Sequence, residues 1–240
     1  MINLMKSFLF PKIMGSFPKP PNINVLSVYG QGVLHRLQHT KPIKCWKCGI
    51  ERQNLHELFC QQCKIIQSPD DEHNYFKLLQ HNEDFDIDLD ILRDKYRHMQ
   101  SLLHPDKFSN RSVEEKNISA DFSSLVNNAY NVLQSPLKRA VHLLCLKGEK
   151  ISEDERIDDP EFLMEIMELN EEVENASDAE KLKELNSSNK KTTEKLELEI
   201  SKYFKEKNLS KVKHCIIKLR YYNSISAHIN NLMRERGIVE

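Results

Sequence analysis

Four cysteines in this chain are spaced to hold a metal. Cys45-Trp46-Lys47-Cys48 and Cys60-Gln61-Gln62-Cys63 are two C-x-x-C pairs separated by residues 49–59. Each such turn aims two thiolates at one point, and two turns close a tetrahedral S4 shell, the geometry of structural zinc. Gly49 follows Cys48, where a tight knuckle needs a residue tolerant of positive φ. With cysteine at all four positions the shell has no open coordination position, so the metal is assigned to folding and not to catalysis. S4 suits iron as well, and zinc is the preferred reading. A redox C-x-x-C would be expected at a helix N-terminus within a βαβ pattern, and no such pattern is visible. Cys145 and Cys215 fall on apolar helical stripes and read as buried, inert thiols.

The second group is His104-Pro105-Asp106. Pro105 disfavours the α region at His104, so a preceding helix should stop there. An imidazole and a carboxylate are then presented on a short exposed loop, where functional residues concentrate. Arg93 and Arg97 stand one turn apart on the helix leading to it and form a basic strip. A compact loop carboxylate can engage an arginine of a partner, while a basic strip contributes encounter rate and orientation more than affinity. His104 with Asp106 could also be a hydrolase dyad, but no Ser or Cys nucleophile lies nearby in sequence. No P-loop string or Gly-rich phosphate cradle is present, so the chain is not expected to hydrolyse ATP and is read as a non-enzyme.

The third group is Met164, Met167, Glu168 and Glu171. They run at i, i+3, i+4 and i+7, almost opposite the apolar stripe Phe162, Ile166, Leu169 and Val173, with Leu163 between the two faces. A bundle helix needs one apolar face. Two methionines framed by glutamates on the other face suit an adaptable, acidic docking surface.

These groups need helices to position them. The chain has 240 residues, 30% of them charged, and only 6 glycines, which favours a helical, water-soluble protein. Tyr75, Phe76, Leu78 and Leu79 form a short helical patch. Asp86 or Asp88 can cap the next helix, whose core stripe is Leu89, Leu92, Tyr96, Met99 and Leu103. Ile118, Phe122, Leu125, Val126, Ala129, Tyr130 and Leu133 make a second long stripe, and the two helices should pack as an antiparallel hairpin. Ser135-Pro136 reads as N-cap and N1 of a further helix burying Leu137, Val141, Leu144 and Cys145. Asp159-Pro160 starts another. Leu182, Leu185, Leu196, Ile200 and Tyr203, then Val212, Cys215, Ile216, Leu219, Tyr222, Ile229 and Met233, suit two more, giving an antiparallel three-helix bundle ended by Gly237. Tyr221 lies off the last stripe and faces outward. The expected fold is all-α: a helical hairpin and a C-terminal three-helix bundle, with a small N-terminal zinc-binding knuckle.

From Tyr75 to Lys147 this order of elements resembles the J-domain, through the His104-Pro105-Asp106 tripeptide, the basic helix before it, and Tyr130-Asn131-Val132-Leu133 with Pro136. J-domains bind ATP-driven chaperones of the 70-kDa heat-shock class and stimulate their ATP hydrolysis. The resemblance implies that Arg93, Tyr96 and Arg97 match the docking strip and His104, Pro105 and Asp106 the activating loop. Tyr96 also lies on the core stripe. A J-domain followed by a bundle whose first helix reads FLMEIMELNEEVE closely resembles the HscB-type co-chaperones of iron–sulfur cluster assembly, and the tetracysteine knuckle resembles the animal mitochondrial form. The likeness runs from Cys45 to the C-terminus. It implies that Leu163, Met164, Met167, Glu168, Glu171 and Tyr221 bind an IscU-type cluster scaffold. The bacterial pattern has Leu and Phe where this chain has Met167 and Tyr221.

The resulting division is a transit segment at 1–40, the knuckle at 41–68, the J-domain at 72–147, a linker at 148–159 and the scaffold-binding bundle at 160–238. No Asp or Glu precedes Glu51, whereas Lys6, Lys12, Lys19 and Arg36 do. An acid-free, basic, apolar N-terminus is the composition of an organelle transit peptide, and the implied place is the mitochondrial matrix, with a cytosolic pool left open. The expected partners are a mitochondrial 70-kDa chaperone, the scaffold and cluster acceptor proteins, with a homodimer left open. The net charge of -1 gives no global field toward nucleic acid or membrane. Two rival readings carry distinct predictions. A general J-protein for unfolded clients would not depend on Met164 and Met167. A cysteine-based metalloenzyme or oxidoreductase would show an open or redox-active site at Cys45–Cys63.

Overall fold

The computed structural model describes residues 44–52, 58–68, 74–152 and 155–238. The transit segment expected at 1–40 lies outside them. Eight helices follow the knuckle among the described residues: α1 (Tyr75–Leu78), α2 (Leu89–Leu102), α3 (Pro105–Phe108), α4 (Val113–Leu133), α5 (Pro136–Leu146), α6 (Pro160–Asn175), α7 (Ala179–Lys205) and α8 (Leu209–Glu235). The all-α class and the small cysteine knuckle are as the sequence led us to expect.

Local chemistry sets most of the helix starts. Asp88 caps α2 by accepting from the N–H groups of Asp90 and Ile91. Ser112 and Glu115 close a reciprocal capping box on α4. Asp159 accepts from Phe162 N with Pro160 at N1, and Asp178 and Asn208 cap α7 and α8. Ser135 occupies the N-cap of α5 with Pro136 behind it, but its hydroxyl makes no capping bond. Gly237 takes φ +64 just past α8, the left-handed conformation that commonly ends a helix.

Helices α2 and α4 pack on each other as the predicted hairpin, and α7 with α8 forms a longer one on which α6 lies. Leu92, Met99, Phe122, Val126, Ala129 and Leu133 are buried in the first, and every residue of the predicted α8 stripe is buried in the second. Leu89 is the exception in α2. It is the first helical residue and is 46% exposed. Cys215 is buried and Cys145 partly so. Burial pushes both thiols up, Cys215 to about 11 with Glu199 adding to it, which fits inert packing.

The two helical halves share one continuous core. Helix α5 packs on α8. Phe85 stacks on Phe204 at 6.0 Å, with the Arg139 guanidinium 5.0 Å above the Phe85 ring. Arg139 is buried and donates to Leu133 O at 2.6 Å. Residues 148–152 and 155–159 add to the joint: Ile151 and Ile157 are buried, Glu155 pairs with Lys213 at 2.7 Å and Arg220 donates to Ser152 O.

Asp86 does not cap α2. Its carboxylate accepts from Ser201 Oγ and from Lys205 Nζ at 2.7 Å, bridging to α7. Burial opposes its ionisation, but Lys205 and Ser201 outweigh that and hold the carboxyl below its ordinary range. Such a group stabilises the fold above its unfolded pKa, and the contribution is lost as pH falls through the folded value. Asp86→Asn should therefore lower the urea midpoint at pH 7, followed by circular dichroism, and the two chains should converge as pH is taken down from about 4. Equal midpoints at pH 7 would remove this tie.

Candidate functional site

The knuckle is built from two copies of one turn. In the first, Gly49 N donates to Cys45 O and Cys45 N to Ile50 O. In the second, Lys64 N donates to Cys60 O and Cys60 N to Ile65 O. Gly49 has φ +73, as its position after Cys48 led us to expect, and Lys64 takes φ +57 at the equivalent place. The turns bring Cys45 Sγ to 3.6 Å from Cys63 Sγ and Cys48 Sγ to 3.7 Å from Cys60 Sγ. All four sulfurs lie within 4.8 Å of one another. A tetrahedron with metal–sulfur bonds of about 2.3 Å has edges of about 3.8 Å, so the four donors fit a tetrahedral thiophilic ion.

The local electrostatics agree with that use. Burial opposes ionisation of Cys45, yet the backbone N–H groups of Cys48 and Lys47 outweigh it and bring the thiol down to about 6. At Cys63 the N–H of Ile65 favours the thiolate, but burial and the neighbouring thiols prevail and the group is pushed up to about 12. Several thiolates cannot crowd together without a cation among them, and a divalent ion relieves that repulsion. Cys45, Cys60 and Ile65 form a small core of their own, while Leu58 and Ile66 join the main helical core. The cysteine cluster is thereby fixed to the helices.

The His104-Pro105-Asp106 stretch is a turn of helix and not an open loop. Helix α2 ends at Leu102, and Pro105 begins α3 with His104 as its N-cap. The proline cannot continue α2, but its fixed φ suits the first position of a new helix. His104 Nδ1 lies 3.3 Å from Asp106 N and 3.5 Å from Asp106 Oδ2. Phe108, the last residue of α3, is buried, and Ser119 Oγ donates to Leu103 O at 3.0 Å. The peptide is thus held from below while the Asp106 side chain stays 90% exposed. Pro105 and Phe108 also line an open groove of about 510 Å³ against Lys116, Ser119 and Asn127 of α4.

Arg93 and Arg97 are exposed on α2, and Arg93 pairs with Asp90 at 2.7 Å. Tyr96 is half-buried. Its ring stacks on Tyr130 at 4.2 Å and its hydroxyl donates to Asn127 Oδ1 at 2.9 Å, so much of it serves the hairpin.

On α6 the predicted outer face is present. Met164 and Met167 are 61% and 52% exposed, with Glu168 and Glu171 exposed beside them, while Phe162, Ile166 and Val173 are buried. Leu163 is half-buried at the border. Tyr221, expected to face outward, is half-buried, and its ring meets Phe162 edge-on at 5.5 Å. That contact places it at the α6–α8 seam, more than 50 residues along the chain from α6. Sequence alone gives no sign of Gln67, which is buried within hydrogen-bond reach of Cys45 Sγ. It followed the second cysteine pair with no metal-ligand signature to mark it.

Fold and sites together define a helical protein with a cluster of four cysteines that could hold a metal ion and an acidic, methionine-bearing helical bundle. No helix among the described residues is long and apolar enough to cross a membrane. Residues 158–230 match the family model described as the HSCB C-terminal oligomerisation domain. The chain is 36% identical over 189 residues to the mouse iron-sulfur cluster co-chaperone protein HscB, covering 78% of this chain and 81% of that one. It is 37% identical to the human protein, with 78% and 80% covered. The crystal structure of human co-chaperone protein HscB superposes with a TM-score of 0.73 at 36% identity, over 79% of this chain and 98% of that one. The chain belongs to the HscB family of iron–sulfur cluster co-chaperones.

Proposed function

We propose that this protein holds an IscU-type cluster scaffold on its C-terminal bundle, delivers it to a 70-kDa heat-shock chaperone and stimulates that chaperone's ATPase, so that the cluster passes to acceptor proteins. The observation that carries this reading is the exposed Met164–Met167 pair on α6, flanked by Glu168 and Glu171, on a helix whose opposite face is fully used by the core. Leu163 and Tyr221 border that face and complete the docking surface. Methionines re-pack to an irregular partner, and the glutamates steer a basic one.

At the other end, Arg93 and Arg97 orient the chaperone, with the exposed edge of Tyr96 beside them. His104, Pro105 and Asp106 act on the chaperone through the Asp106 carboxylate. The chemistry is the chaperone's own, and this chain supplies a contact that favours it. Cys45, Cys48, Cys60 and Cys63 hold zinc, which when bound cross-links two turns and neutralises thiolate charge. The matching functional division is knuckle at 41–68, J-domain at 72–147 and scaffold-binding bundle at 160–238, working in the mitochondrial matrix.

Replacing Met164 and Met167 together by serine removes two central apolar contacts, and each such anchor is worth about 1–2 kcal/mol or more. Scaffold affinity, measured by calorimetry, should fall about tenfold or more, while basal stimulation of the chaperone without scaffold is unchanged. Undiminished scaffold binding by the double variant would overturn the assignment and favour a general chaperone for unfolded clients.

A further inference from the structure

The four sulfurs are held by more than their own turns. Gln67 is buried. Its backbone N–H donates to Leu58 O at 2.8 Å, which fixes the residue beside the second turn. Its side-chain Nε2 lies 3.3 Å from Cys45 Sγ and 3.1 Å from the carbonyl oxygens of Ile65 and Ile66. All three neighbours are acceptors, so only the NH2 end of the amide fits there. With the oxygen in its place, three acceptors would face a fourth. Two hydrogens serve three acceptors, and the thiolate is the charged one, so it takes the stronger bond. The Ile66 carbonyl also accepts from Trp46 Nε1 at 2.7 Å, which leaves the amide freer to serve the sulfur. The contact crosses the knuckle, from the segment after the second cysteine pair to the first cysteine of the first pair.

We infer that Gln67 is a positioning residue of the metal centre: its amide donates a hydrogen bond to the Cys45 thiolate and slows loss of the ion. A donor on a ligating sulfur disperses its charge, fixes its orientation and joins the two turns through a link that does not involve the metal. Partners of this kind outside the ligand shell typically change metal affinity by about 10–100-fold.

The inference rests on the reading of the four cysteines as a metal site, and the experiment separates the two. Full-length chain loaded with zinc is mixed with a chromophoric chelator, and release is followed for wild type, Gln67→Met and Gln67→Glu. Met fills similar space and cannot donate; Glu keeps the shape and places an acceptor against the sulfur. Both should release zinc about tenfold faster or more, Glu the faster of the two. The same chains loaded with cobalt(II) give the second readout. Without the donor, the sulfur-to-cobalt charge-transfer band should move to lower energy in Gln67→Met, with the helical circular dichroism unchanged. A wild-type chain that takes up neither ion removes the metal site and Gln67's role with it. A wild type that binds both, with variants that release at its rate, removes the role alone. Faster release with an unmoved charge-transfer band would assign Gln67 to holding the Ile65 and Ile66 carbonyls and would also overturn the inference.

Discussion

Asp106→Asn should cut stimulation of the chaperone's ATPase at least about tenfold, measured as steady-state turnover with and without scaffold. The side chain is 90% exposed, so it contributes little packing, and asparagine keeps its shape within the first turn of α3. What is lost is one negative charge at the tip of a peptide that Phe108 and Ser119 hold in place. Truncating one partner of a charge pair buried on docking costs about 2–5 kcal/mol, and a stimulation that depends on it should drop at least about tenfold. Affinity for the scaffold should not change, because the bundle face is on other helices. An Asp106→Asn chain that stimulates as well as wild type would overturn the assignment of the tripeptide. His104 Nδ1 caps the same turn, so the histidine presents the carboxylate and need not do acid–base chemistry.

Removing the metal is the second large effect. The chain has one tryptophan, Trp46, placed between two ligands with its Nε1–H on Ile66 O at 2.7 Å. Its fluorescence therefore reports on the knuckle alone. A strong chelator should shift Trp46 emission to longer wavelength as the indole N–H loses Ile66 and meets water. The helical signal at 222 nm should stay largely intact, since the capped helices carry their own core. Leu58 and Ile66 nonetheless join that core, and burying such a side chain contributes about 1.5–3 kcal/mol. The chelated protein should thus unfold at a lower temperature, by several degrees. For structural zinc the apparent binding free energy of about 10–16 kcal/mol is also folding free energy of the knuckle. If chelation leaves both the emission and the unfolding midpoint unchanged, the cysteines do not hold a structural ion.

Much of the arrangement could be read from one dimension because its signals are local. A helical stripe repeats every three or four residues, and two C-x-x-C turns carry their ligands with them. The outer methionine face of α6 needed only the helical period to separate it from Phe162, Ile166 and Val173. Where a helix meets its neighbours is not encoded along one element. Leu89 fits the α2 stripe yet is exposed at its start, and Tyr221 is half-buried against Phe162. Asp86 looked like a cap of the nearest helix, but its partners Ser201 and Lys205 are more than a hundred residues away.

Residue type and spacing along one element were enough to foresee the helices, the cluster of four cysteines, the exposed His104-Pro105-Asp106 stretch and the acidic methionine face. It took the folded chain to reveal that Ile151 and Ile157 are packed, that the two helical halves share a core through Phe85, Arg139 and Phe204, that the tripeptide forms a helical turn, and that Gln67 reaches Cys45. Those contacts join residues far apart in the chain, and no local pattern encodes which buried polar group will meet which.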